Sequence, residues 1–139
     1  MVHRYLLDTN ILSEPFKRDS NPSVLRKLQA ERDRVCTAAP VWHELRFGCE
    51  RLQPSKRRRE LEYYLKQVLK PSLTVLAYDS TASEWHANER ARLSLMGRTP
   101  AFVDGQIASI AKTNGLVLVT RNMPDFDDFD DLDLENWFD

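Results

Sequence analysis

Apolar residues in this chain fall into two patterns: short continuous runs, and longer stretches in which they recur every three or four positions. The continuous runs predict strands at Val2 to Leu7 (buried on both faces from Tyr5 onward), Arg34 to Ala38, Ser72 to Ala77 and residues 116–120, "LVLVT". Between them the spacing predicts helices. Asn21-Pro22 offers an amide N-cap and a proline at the first helical position ahead of Leu25 and Leu28. Pro40 opens a helix that puts Val41, Leu45, Gly48 and Leu52 on one side. After Pro54, Ser55 caps a basic helix carrying Leu61, Tyr64, Leu65, Val68 and Leu69. Asp79 or Ser80 starts a long helix that Gly97 ends, and Ala101 to Thr113 forms another, closed by Asn114-Gly115.

Strands that alternate with helices, and that are apolar throughout, imply a parallel sheet of four to five strands flanked by α-helices, an α/β fold. At 139 residues the chain suits one domain. Folds of this kind bind ligands beyond the carboxyl ends of their strands, where "LLDTN" (residues 6–10) places Asp8 and "LVLVT" places Thr120.

Composition narrows the setting. The apolar runs are too short to span a bilayer and the N-terminus has no long apolar stretch of the signal-peptide type, so a cytoplasmic location without membrane contact is expected. Cys36 and Cys49 have neither Cys-x-x-Cys spacing nor matching histidines, which argues for buried thiols and against structural zinc. The net charge of −1 conceals a division: eight acidic residues and no Lys or Arg lie from Asn122 onward, leaving 20 basic against 13 acidic groups in residues 1–121. A basic body suits a polyanionic partner, although Lys56-Arg57-Arg58-Arg59 also fits the solvated face of a helix.

Four acids occupy comparable places in the strand–helix units: Asp8 ends the first strand, Glu44 lies early in the helix after the second, Asp104 begins the helix "FVDGQIASIA", and Asp125 follows the fourth strand. Each has a duller role open to it, as turn residue, first-turn acid, N-cap or tail acid. Together, on a parallel sheet, they would converge. Two carboxylates about 5 Å apart repel by roughly 3 kcal/mol at an effective dielectric near 20, so such a cluster calls for a cation. All-oxygen donors without a convergent histidine favour Mg²⁺ or Mn²⁺, which orients water and offsets charge on a phosphoryl oxygen. Competing motifs fail: His43-Glu44 opens like a zinc-protease helix but Phe47 stands where the second histidine belongs, no serine sits in a nucleophile elbow with His3, His43 or His86, and four glycines make no phosphate loop. An aspartyl nucleophile at Asp8, as in haloacid-dehalogenase-like phosphohydrolases, would need a second acid where Asn10 stands. A catalytically silent RNA- or partner-binding module would have little use for Asp8, Glu44 and Asp104 together.

"LLDTNILSE", "VWHELRFGCERL", "RTPAFVDGQIASIAKTNGLVLVTRN" and the following "DF" resemble, in order and over nearly the whole chain, the motifs of a PIN-domain ribonuclease of the VapC type, the toxin of a bacterial toxin-antitoxin pair. The resemblance implies one PIN domain over residues 1–139, the acidic segment 125–139 included. It implies metal-dependent cleavage of RNA, with Asp8 and Asp104 as principal metal ligands and Glu44 completing the pocket. Thr9 and Asn10 match the family's polar pair and Thr120 its hydroxyl. For the fourth acid it leaves open Asp125 or a water-holding role for Asn122. Arg46, Arg51, Lys56, Arg57, Arg58 and Arg59 are candidates for the RNA backbone. A homodimer is implied, as is a VapB-like antitoxin whose arm lies across the toxin groove and through which a larger complex binds operator DNA. The tail acids from Asp127 onward should lie away from the RNA path.

Overall fold

The computed structural model describes residues 2–138. Five parallel strands form one sheet in the order β3-β2-β1-β4-β5: β1 (Tyr5–Leu7), β2 (Val35–Ala38), β3 (Thr74–Leu76), β4 (Val117–Val119) and β5 (Leu134–Glu135). The chain builds outward from β1 through β2 to β3, then returns to lay β4 on the other side of β1. That reversal opens a crevice at the carboxyl ends of β1 and β4. Leu6, Leu7, Cys36, Ala38, Leu118 and Val119 are all buried, as expected of strands covered on both faces.

Helices α1 (Thr9–Leu12), α2 (Pro22–Ala30), α3 (Ala39–Glu50), α4 (Lys56–Tyr63), α5 (Lys70–Ser72), α6 (Ser80–Leu95) and α7 (Phe102–Thr113) flank the sheet. Their starts follow the expected chemistry. Asn21 Oδ1 accepts from the Ser23 and Val24 amides, Ser55 Oγ from Arg58 N at 3.1 Å, and Asp79 Oδ1 from Ala82 N at 2.9 Å. Both cysteines are buried free thiols, and no helix among the described residues is long and apolar enough to cross a membrane.

Several elements differ from the sequence pattern. The first strand is shorter at its start, with Val2 exposed. Ser72 belongs to a helical turn, so the third strand begins at Thr74. In α3 it is Cys49, not Gly48, that joins Val41 and Leu45 in the core. The basic helix widens into a π turn over Tyr64–Leu69, where Leu65 is buried and the Tyr64 hydroxyl donates to Leu12 O at 2.7 Å. A simple 3.6-residue repeat carries no sign of that extra residue.

The acidic tail is tied to the basic body. Glu89, buried on α6, accepts from Arg92 Nε at 2.8 Å and from the Asp130 amide at 2.7 Å. Lys112 on α7 donates to the backbone oxygen and carboxylate of Asp131, both at 2.9 Å. Trp137 is buried edge-on to Tyr5, with ring centroids 5.2 Å apart. Replacing Glu89 by alanine leaves the Asp130 amide without its acceptor and removes two of the bonds that Arg92 makes; we expect a loss of about 2 kcal/mol in denaturant unfolding. Lys112→Ala, which breaks a pair whose Asp131 carboxylate is 83% exposed, should change stability far less than Glu89→Ala in the same measurement.

Candidate functional site: an acidic cavity at the carboxyl end of the sheet

Asp8 leaves β1 and caps α1 at once. Its Oδ1 accepts from Thr9 N at 2.8 Å, while its Oδ2 accepts from the Thr120 hydroxyl, also at 2.8 Å, across 112 residues of sequence. The ordinary capping role and the exceptional one therefore coincide in one side chain. Thr9 in turn donates its hydroxyl to Glu44 Oε2 at 3.0 Å, and Asn10 Oδ1 accepts from Arg121 N at 3.0 Å. Thr120 Oγ1 also accepts from Asn122 N, which folds the segment after β4 back toward the sheet.

These contacts enclose a cavity of about 210 Å³ lined by Asp8, Thr9, Asn10, Glu44, Asp104, Asn122 and Asp125, with Ile107 and Phe126 as apolar walls. All four acids singled out by the sequence reach it, and so do both candidates for the fourth position. Asp125 sits in a short 3-10 turn, Met123–Asp125. Asp104 lies in the first turn of α7 but does not cap it: Ala101 is the N-cap.

Burial above all, with the charges of Glu44 and Asp125, raises the Asp8 carboxyl above the usual range, against the lowering effect of its two hydrogen bonds. Burial, then Asp125, Asp8 and Glu44, pushes Asp104 up to about 6. Four oxygen-donor side chains around one cavity form a donor set suited to a hard dication. Among the described residues, no three acidic, histidine or cysteine side chains are gathered tightly enough to grip an ion as they stand.

The basic candidates divide. Arg46 pairs with Glu50 at 2.7 Å, and Arg58 pairs with Glu50 at 3.1 Å and Glu62 at 3.0 Å. Lys56 and Arg59 border a separate shallow surface with Glu60 and Tyr63. Arg51 and Arg57 line a groove of about 350 Å³ that shares Thr9 and Glu44 with the acidic cavity. Lys17 and Phe16 line the same groove and went unnoticed in the sequence, where they stand in a connecting segment without periodicity.

Sequence reasoning also missed a support behind Asp104. His86 is buried on α6; its Nδ1 bonds the Tyr78 hydroxyl at 2.8 Å and its ring lies 4.9 Å from that of Phe102. Its Nε2 faces Gly105, where an added Cβ would run into the imidazole. A glycine is thus required there by the close approach of another side chain rather than by its backbone. Gly105→Ala should cost about 2 kcal/mol by overpacking, and His86→Ala in the same chain should recover much of it, as read by urea unfolding.

Asp104 supplies a pH test. Its folded-state pKa of about 6 exceeds the ordinary carboxyl value, so its ionisation opposes folding: the cost is absent below about pH 4, grows as pH rises and is complete above about 6. In metal-free buffer Asp104→Asn should therefore be more stable than the parent at pH 7 by about 1–2 kcal/mol, after allowance for solvent screening at a partly exposed group. The difference should vanish near pH 4.

Residues 5–132 match the PIN domain family. The chain is 32% identical over 124 residues to the toxin FitB of Neisseria gonorrhoeae, covering 87% of this chain and 89% of that one. It is 31% identical over 125 residues to the VapC ribonuclease Y4jK of Sinorhizobium fredii, covering 88% and 89%. Among solved structures, the crystal structure of FitAcB from Neisseria gonorrhoeae superposes with a TM-score of 0.88 at 30% identity, covering 96% of this chain and 97% of that one. With the family's pattern running from the first strand into the acidic tail, and its relatives matched along most of their own lengths, the chain belongs to the PIN domain family.

Proposed function

We infer that this chain is an endoribonuclease toxin of a toxin-antitoxin pair. The observation that carries the reading is the meeting of Asp8, Glu44, Asp104 and Asp125 around one cavity at the strand switch of a PIN fold. Divalent-metal dependence is general among PIN-domain nucleases. The oxygen donors favour Mg²⁺ or Mn²⁺ here, with Asp8, Asp104 and Glu44 as ligands. When bound, such an ion supplies positive charge that steadies a phosphoryl oxygen and makes water more acidic.

The chain's own residues do the positioning. Thr120 and the Thr9 amide fix both oxygens of Asp8, so this carboxylate is held before any ligand arrives. The Thr9 hydroxyl turns Glu44 toward the same space. Asp125 and Asn122 close the far side, Asp125 as fourth acid and Asn122 as a hydrogen-bonding group for water. Asn10, whose carbonyl oxygen is committed to the Arg121 amide, stands where aspartyl-phosphate chemistry would need an acid.

The relatives named above include a toxin, FitB, and we assign a VapB-like antitoxin to this chain as well. A homodimer is supported by four exposed apolar residues around the α6–α7 connection, Leu95 and Met96 where α6 ends and Phe102 and Val103 where α7 begins. Operator DNA would be reached through the antitoxin. The substrate places the work in the cytoplasm.

Asp8→Asn and Asp104→Asn should each lower single-turnover RNA cleavage by about a hundredfold or more while remaining folded by circular dichroism. Asp125→Asn should fall at least about tenfold. Mg²⁺ or Mn²⁺ should raise the melting temperature of the parent and not of Asp104→Asn. Undiminished cleavage by both Asp8→Asn and Asp104→Asn would overturn the assignment.

A further inference from the structure

The solvent face of α3 carries a feature that the acidic cavity does not use. His43, Phe47 and Arg51 follow one another at four-residue spacing, all exposed. The imidazole and phenyl rings have centroids 6.1 Å apart and planes within 15° of parallel, and the Arg51 guanidinium carbon lies 5.5 Å from the Phe47 centroid. Phe47 leaves 54% of its surface to solvent. Beside this ladder runs the groove that leaves the cavity at Thr9 and Glu44 and ends among Lys17, Arg51 and Arg57. Lys17 is bridged to Glu14 at 3.3 Å, while Arg51 and Arg57 have no salt bridge among the described residues and rest on the faces of Phe47 and Phe16. An added Cβ at Gly48, which lines the groove, meets nothing within 4 Å.

Resting on the ribonuclease reading, we propose that this ladder and groove bind a single-stranded stretch of RNA adjoining the cleaved phosphate. Bases stack on Phe47 and His43, and backbone phosphates lie against Arg51, Arg57 and Lys17. Flat π faces beside guanidinium groups accept any base, and Arg51 and Arg57, which no carboxylate among the described residues neutralises, recover interaction energy from phosphates. The continuity of the groove with the acidic cavity carries a strand held there directly to the carboxylates. Gly48 sets the depth of the channel: with no side chain, the strand can approach the helix backbone.

The test uses the full chain with Asp104→Asn, without added metal, and a fluorescent oligouridylate of about ten nucleotides, a length within the usual single-strand site sizes. Phe47→Ala should weaken binding about tenfold and Phe47→Trp should restore most of it. Gly48→Glu should weaken binding more than Gly48→Lys, and the gap should shrink as salt is added. The double change Arg51→Ala with Arg57→Ala should reduce the slope of log affinity against log salt by about 1 to 2. In the cleaving protein, the Phe47→Ala loss should appear in KM rather than kcat. Parental affinity in both Phe47→Ala and Gly48→Glu overturns the proposal, as does tighter binding of a duplex than of the single strand. Loss of a co-expressed protein partner in those variants, with RNA affinity intact, also overturns it and gives the groove to a protein arm. Asp104-dependent cleavage at unchanged KM in Phe47→Ala would sink the ladder alone. Phe47-dependent binding with no cleavage in any divalent metal would sink the nuclease reading alone.

Discussion

Repulsion among four carboxylates around a cavity of about 210 Å³ is the constraint that organises this molecule. Left to themselves these groups would separate or take up protons. They stay together because each is mounted on an element that the core already fixes: Asp8 at the end of a buried central strand, Glu44 one turn into a helix that starts directly from β2, Asp104 in the first turn of α7, and Asp125 in the turn after β4. The strain appears as raised proton affinity at Asp8 and Asp104. Folding energy from apolar burial elsewhere thus sustains a local concentration of negative charge, and the same charge makes the cavity receptive to a cation.

The charge division along the chain has a matching spatial logic. In the tail, the Asp128 carboxylate pairs with Arg98 and its backbone oxygen accepts from Arg92, while Asp131 pairs with Lys112 on α7. Other basic residues are consumed internally: Arg58 binds two glutamates and the Leu52 carbonyl and so fastens the start of α4 to the end of α3. What remains unneutralised beside the cavity is a small set of cations along one groove, and that set, rather than the total of −1, describes the surface a polyanion would meet.

Continuous apolar runs and capping residues made the sheet, the main helices and the four acids legible in the sequence. The positions that mattered were the ends of elements, where Asp8 and Thr120 interrupt apolar runs abruptly. Other features left no local trace. The π turn at Tyr64–Leu69 serves a bond to Leu12, far away in sequence. The glycine requirement at Gly105 comes from His86 on another helix. Strand β5 is only two residues long and sits in a run of acids that reads as solvated tail. A charge run such as Lys56 to Arg59 looks uniform in sequence, yet its members face an aromatic ring, two carboxylates or open solvent according to their place around the helix.

The bond from Thr120 to Asp8 spans 112 residues, and β4 is inserted beside the very first strand. A ribosome that has delivered only the first hundred or so residues has therefore produced β1, β2 and β3 but none of the wall formed by Thr120, Asn122 and Asp125. Nascent chains and products that stop short of β4 therefore lack a closed cavity, whatever ion or ligand it takes.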